Sequence, residues 1–172
     1  MTRFALMAAA LIASLLVSAC QADLGEDEET DTTQEAAPAV ILAPKTTDDG
    51  AWKEYLMKVI PQHVDGITER TFNYYLPWAT DPAEVDGPYS RMQMDVYGAI
   101  SRTVLPGNML SFSSPNSAMM ADMIVASFQG EDVKPTAVKG SRVLFIGKPE
   151  DEARVRAAVE AVGGEFRFVE VK

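Results

Sequence analysis

Residues 109–171 read MLSFSSPNSAMMADMIVASFQGEDVKPTAVKGSRVLFIGKPEDEARVRAAVEAVGGEFRFVEV, and their order of patterns decides the fold. Met109 to Ser113 is a short apolar strand. Pro115-Asn116-Ser117 then opens a helix carrying Ala118, Met119, Met120, Met123, Ile124, Val125 and Phe128, apolar on nearly every side and therefore expected to be buried. Arg142 to Gly147 (RVLFIG) is a continuous apolar run, as in a strand covered on both faces. Pro149 suits the first turn of a further helix, with Glu150, Asp151 and Glu152 at its positive end. Glu150–Arg154 and Glu152–Arg156 stand at i,i+4; Val155, Val159 and Val162 form the inner stripe, and Gly163 stops the helix. Phe166 to Val171 closes the stretch as a strand. Such a βαβαβ order implies parallel pairing with right-handed crossovers. The expected fold class is α/β: a small single domain, its sheet mixed or mainly parallel and packed by helices.

Upstream the signals are weaker. A helix begins near Asp49, a good N-cap, with Trp52, Tyr55, Leu56 and Val59 at helical spacing, and Pro61 ends or kinks it. Thr68, Arg70, Phe72, Tyr74 and Leu76 alternate with more polar neighbours, which suggests a strand with one buried face. Pro77 to Tyr89 contains Pro77, Pro82, Gly87 and Pro88 and reads as an exposed loop. Ser90 to Val104 stays open between two readings. Met92, Val96 and Ile100 fit a helix, whereas Met92, Met94 and Val96 fit a strand; length favours the helix and Gly98 weakens it.

The first fifty residues carry an address. Arg3 forms a positive n-region, and an apolar run from Phe4 to Val17 follows, broken only by Ser14. It is too short to span a hydrocarbon core of roughly 30 Å as a permanent helix. Val17-Ser18-Ala19-Cys20 resembles the lipobox of bacterial lipoproteins, in which the signal is cleaved before the cysteine, whose sulfur receives a diacylglycerol and whose new amino terminus is acylated. The resemblance covers only the first twenty residues. It implies a signal peptide over 1–19, lipidation of Cys20, and stable anchoring, since each buried CH₂ contributes about 0.8 kcal/mol. In lipoproteins of this type an aspartate after the cysteine favours inner-membrane retention, so Gln21 resembles an outer-membrane member facing the periplasm. Cys20 is also the only cysteine, so the mature domain has no internal disulfide.

Residues 20–50 read as a lipidated, acidic, disordered tether and 51–172 as the globular domain. The stretch 21–50 has no aromatic residue and one short apolar run, Ala39 to Ala43, too little apolar surface to offset chain ordering. A flexible chain of that length has a root-mean-square span of roughly 30 Å. The formal charge of −10 is concentrated there: Asp23, Glu26, Asp27, Glu28, Glu29, Asp31, Glu35, Asp48 and Asp49 stand against Lys45 alone. The remainder from residue 51 is nearly balanced. No basic stripe favours nucleic acid as a partner.

The residues offer little chemistry. His63 is the only histidine, and it lies beside Pro61 at a helix end, where a surface or capping role is the ordinary one. Metal sites built on His and Cys are excluded by count, no calcium-loop spacing is present, and no cofactor is implied. Ser113, Ser114, Asn116 and Ser117 form a small polar loop between a strand and a helix N-terminus, where open α/β sheets often bind ligands. Capping is the competing reading, and no glycine lets a phosphate approach closely. Met119, Met120 and Met123 fit a core helix. Tyr74, Tyr75, Trp78 and Tyr89 flank the Pro-rich loop and are either core or a protein-binding rim.

With no catalytic constellation visible, the expectation is a noncatalytic, lipid-anchored periplasmic protein that binds a protein partner in the envelope. A small domain on an acidic tether resembles lipoprotein immunity proteins and inhibitors that neutralise envelope-acting effectors or hydrolases. That likeness is one of layout and has no motif behind it. An envelope-assembly or secretion-system lipoprotein is the first alternative, and a small enzyme or ligand carrier using the Ser113–Ser117 loop the second.

Overall fold

The computed structural model describes residues 41–172; the signal segment, Cys20, Gln21 and residues 22–40 lie outside the described residues. Helix α1 (Asp49–Val59) runs into a 3₁₀ turn (Ile60–His63), followed by β1 (Thr71–Tyr75), α2 (Pro88–Ser101), β2 (Met109–Ser113), α3 (Ser117–Phe128), β3 (Arg142–Gly147), α4 (Pro149–Ala161) and β4 (Glu165–Glu170). The four strands form one sheet in the order β1-β2-β3-β4, and every neighbouring pair is parallel. The fold is α/β, with no antiparallel strand in the described sheet.

Strand periodicity divides the core in two. Successive side chains point to opposite faces, so Leu110, Phe112, Val143 and Phe145 meet the crossover helices α2, α3 and α4 in one cluster, with Val96, Ile100, Met120, Met123, Ile124, Phe128, Val155 and Val159. Met109, Leu144 and Ile146 point the other way and pack against Trp52, Tyr55, Leu56 and Val59 of α1. This explains the unbroken apolar run of β3, whose residues are all buried. A sequential strand order carries all three crossovers on one face, leaving only α1 for the other.

One open reading closes in favour of the helix, and three expectations change in detail. Residues 88–101 are helical: Pro88 occupies the first turn, Val96 and Ile100 are buried, and Met94 faces out. β1 is shorter than its alternation suggested, because the N–H groups of Thr68 and Glu69 donate to the Gly107 carbonyl in a turn. The cap of α1 is Asp48, whose carboxylate accepts from Ala51 N–H at 2.8 Å. The folded part also starts before residue 51. Ala43 is buried, Ile41 packs on the α1 cluster, and Trp52 Nε1 donates to the Thr46 carbonyl at 2.7 Å, so the end of the acidic stretch belongs to the domain.

The entry of the chain into the sheet is held by Arg142, itself buried. Its Nη1 donates to the carbonyls of His63 and Asp65, both at 2.7 Å, and its Nε donates to Glu165 Oε1 at 3.0 Å. Arg167 extends the network to Asp65 and Glu165. The hydrogen bond from Arg142 holds the Glu165 carboxyl below the ordinary carboxylate range. Arg142→Met should lower the unfolding free energy at pH 7 by about 2–3 kcal/mol, since two carbonyls lose a charged donor. The Glu165 contribution is present above the unfolded carboxylate value and is lost as pH falls through the lower folded value. Urea unfolding of both proteins should therefore show the gap narrowing on acidification; a pH-independent gap would place the loss elsewhere.

Candidate functional site

The carboxyl ends of the strands are where open α/β sheets usually bind ligands, in a crevice where successive crossovers leave for opposite faces. The order β1-β2-β3-β4 has no such reversal. The side chains of the loop after β2 are instead engaged with their neighbours. Asn116 Oδ1 accepts from Met119 N–H at 3.2 Å and caps α3, while Ser114 Oγ accepts from Asn116 N–H at 3.0 Å. The Ser117 hydroxyl donates to Asp151 Oδ2 at 2.6 Å and accepts from Lys148 N–H at 2.8 Å. Ser113 is buried on the α1 side of the sheet, at the floor of a groove that Lys53, Leu56, Met57, Asn73 and Tyr75 also line. The four loop residues thus do not converge on one point. Capping accounts for Asn116, and a buried link between α3 and α4 accounts for Ser117.

Asp151 was legible only as an acid suited to a helix N-terminus. In the structure it is buried, and Arg154 donates to its Oδ1 from Nη2 at 2.7 Å and from Nε at 3.1 Å. Arg154 also pairs with Asp122 of α3. The expected Glu150–Arg154 pair does not form, because Arg154 turns toward α3; Glu152–Arg156 does form, at 2.6 Å.

The aromatic candidates are distributed over both faces. Tyr74 stacks on Phe112 with centroids 4.9 Å apart, and Tyr89 packs on the same core cluster. Tyr75 lies on the other face, where its hydroxyl donates to Asp49 Oδ1 at 2.8 Å. Burial first and Asp49 second hold the Tyr75 phenol far above its ordinary range; burial, then Asp95, raises Tyr74, and burial, then Asp122, raises Tyr89. These phenols stay neutral donors at any physiological pH. Trp78 alone of the four is largely solvent-facing, at 51% exposure. A single rim of four aromatics is therefore not assembled.

The structure exposes a different surface. A groove of about 430 Å³ lies between β1 and the end of α2, walled by Phe72, Tyr74, Ala99, Val104, Leu105 and Leu110, with Glu69 and Arg70 among its polar lining. Phe72 is 40% exposed and Leu105 71%. Alternation had assigned Phe72 to a buried face. The facing direction is as expected, but β1 is the edge of the sheet and α2 leaves its outer flank open. Leu105 sits in a Leu-Pro-Gly turn and carried no periodic signal.

His63 is half-buried at the end of the 3₁₀ turn, and burial, then Arg167, lowers its pKa. Its backbone carbonyl is what the network uses, accepting from Arg142. Among the described residues no group of three or more His, Cys, Asp or Glu is placed to hold a metal ion, and no helix is long and apolar enough to cross a membrane. No protein family, curated protein or solved structure was found to match this chain.

Proposed function

We propose that the protein is a noncatalytic binding module, anchored through lipid on Cys20 to the periplasmic side of the outer membrane, that neutralises an envelope-acting effector or hydrolase by docking it. The observation that carries the reading is the groove beside β1. It is open, lined by both apolar and polar groups, and bordered by the exposed Phe72 and Leu105. Exposed apolar side chains grouped around a concavity, with charged residues at its mouth, are the usual composition of a protein-docking surface. Trp78 adds a second exposed aromatic anchor, of the residue type that most often dominates binding energy.

Capture of envelope and secreted proteins on the full-length chain tests it. One partner of hydrolase type should dominate, its activity should fall on binding, and Leu105→Asp should weaken the complex by about tenfold or more. Leu105 is largely exposed, so that variant should leave thermal unfolding unchanged. A partner held equally by the native chain, Leu105→Asp and Trp78→Ala would remove this surface from the interface. No captured partner at all would favour an assembly lipoprotein that works by reach.

A further inference from the structure

The two edges of the sheet are chemically unlike. β4 carries Glu165, Arg167 and Glu170, the kind of charge that protects an edge strand from pairing with another chain. β1 (TFNYY) carries none, and no charged residue occurs between Arg70 and Asp81. Beyond β1 the described residues provide no further strand.

The phase of its hydrogen bonding is fixed by two bonds: Met109 N–H donates to the Arg70 carbonyl at 2.9 Å, and Leu76 N–H donates to the Ser113 carbonyl at 3.1 Å. In a parallel pair the residues of one strand alternate, one with both backbone groups toward its neighbour and the next with both away. Phe72 and Tyr74 therefore face β2, and Thr71, Asn73 and Tyr75 direct their N–H and C=O groups outward from the sheet.

We propose that a second copy of this chain occupies that edge, its β1 pairing antiparallel with β1 across a two-fold axis at Asn73 to make one continuous sheet. The parity permits it. Asn73 faces its own counterpart, and Thr71 faces the partner copy's Tyr75, so every outward N–H and C=O of the three residues finds a complement. On the crossover-helix face, Phe72 falls opposite the partner copy's Tyr74. Aromatic–aromatic and aromatic–β-branched neighbours are the cross-strand pairs that stabilise antiparallel sheets, and here both arise from self-pairing. No like charges meet, because Arg70 comes opposite Leu76 and Glu69 opposite Pro77. The closed, isologous arrangement stops at two copies, since β4 stays protected. It also sets two copies of the groove beside each other on one face, independently of what the groove binds.

The test uses the full chain in a density-matched nonionic detergent, with sedimentation equilibrium and hydrogen exchange over a concentration series. A dimer is expected in which protection at the amides of Thr71, Asn73 and Tyr75 rises with protein concentration, while the amides of Phe72 and Tyr74, already bonded to β2, do not change. Asn73→Lys puts two like charges face to face at the axis and should raise the dimer dissociation constant by about tenfold or more. Asn73 is exposed, but its Oδ1 accepts from the buried Ser111 hydroxyl at 2.7 Å, so circular dichroism and urea unfolding must show that the variant stays folded, and the amide-protection series on the native chain tests the pairing without it. A chain that stays monomeric would overturn the proposal, as would a dimer insensitive to Asn73→Lys. Protection at the three amides in a chain that sediments as a monomer would also overturn it, assigning the edge to the chain's own residues 20–40. Protection that appears only with a captured protein would assign it to that partner. None of these readings depends on Leu105 or Trp78.

Discussion

Asp151→Ala should destabilise the protein by about 3–5 kcal/mol, more than any other polar substitution among the residues described. Asp151 is 4% exposed and binds two elements at once. Its Oδ2 accepts the Ser117 hydroxyl at the start of α3, and its Oδ1 accepts twice from Arg154 of its own helix. Without the carboxylate, Ser117 keeps the Lys148 N–H as a donor but loses its acceptor, and a partly buried guanidinium keeps only Asp122 and the Ala118 carbonyl. Arg154 is 37% exposed, so water offsets part of the loss and the lower end of the range applies. Asp151→Asn separates the contributions: an amide oxygen still accepts from Ser117 but does not pair with the guanidinium, and about 1–2 kcal/mol should be lost. Glu152→Ala, three residues from the same helix start, breaks only the half-exposed pair with Arg156 and should cost under about 1 kcal/mol. Urea unfolding of the three variants gives the comparison. Equal losses for Asp151→Ala and Glu152→Ala would mean that general attraction to the helix dipole, and not the Ser117 link, is what Asp151 supplies.

That contrast shows where residue patterns carry information and where they do not. β2, α3, β3, α4 and β4 were readable from 109–171 because each buries a face whose period is visible in the chain itself: RVLFIG is apolar throughout since α1 covers one side of β3 and the crossover helices the other. The helix at 88–101 was ambiguous because Met92, Met94 and Val96 satisfy a period of two as well as Val96 and Ile100 satisfy a helical one; packing on α3 decides between them. Residues 41–50 looked like tether because they bury little surface, and the contacts that hold them come from Trp52 and Val59 of α1 and, far along the chain, from the last strand. Site information follows the same division. Ser117 and Asp151 are 34 positions apart, so their 2.6 Å hydrogen bond leaves no local spacing to recognise. Exposure of Phe72 depends on β1 being an edge, a property of strand order that alternation does not encode. Tyr74 and Tyr75, adjacent in the chain, lie on opposite sheet faces by the same alternation, which already disfavours a rim made from both.

Phe112→Ala should be the most disruptive single change, removing about 3–5 kcal/mol. Phe112 is wholly buried in the second strand, stacked on Tyr74 at 4.9 Å and edge-on to Phe128 at 6.2 Å. It therefore links the edge strand to α3, and its loss leaves a cavity walled by elements on three sides. β2 is hydrogen-bonded to β1 and β3 through its whole length, so the backbone has little freedom to collapse into the space, which argues for the upper half of the range. Phe112→Leu keeps most of the volume and should lose under about 2 kcal/mol. The stack with Tyr74 has its own signature. A double-mutant cycle of Phe112→Ala with Tyr74→Ala should return a coupling of about 0.5–1.5 kcal/mol. Tyr74 also walls the groove beside β1, so Phe112→Leu should loosen partner binding while leaving a folded domain, whereas Leu144→Met on the opposite face should not. If both variants weakened binding equally at matched stability, the groove would be responding to the domain as a whole and Tyr74 would have no particular part in it.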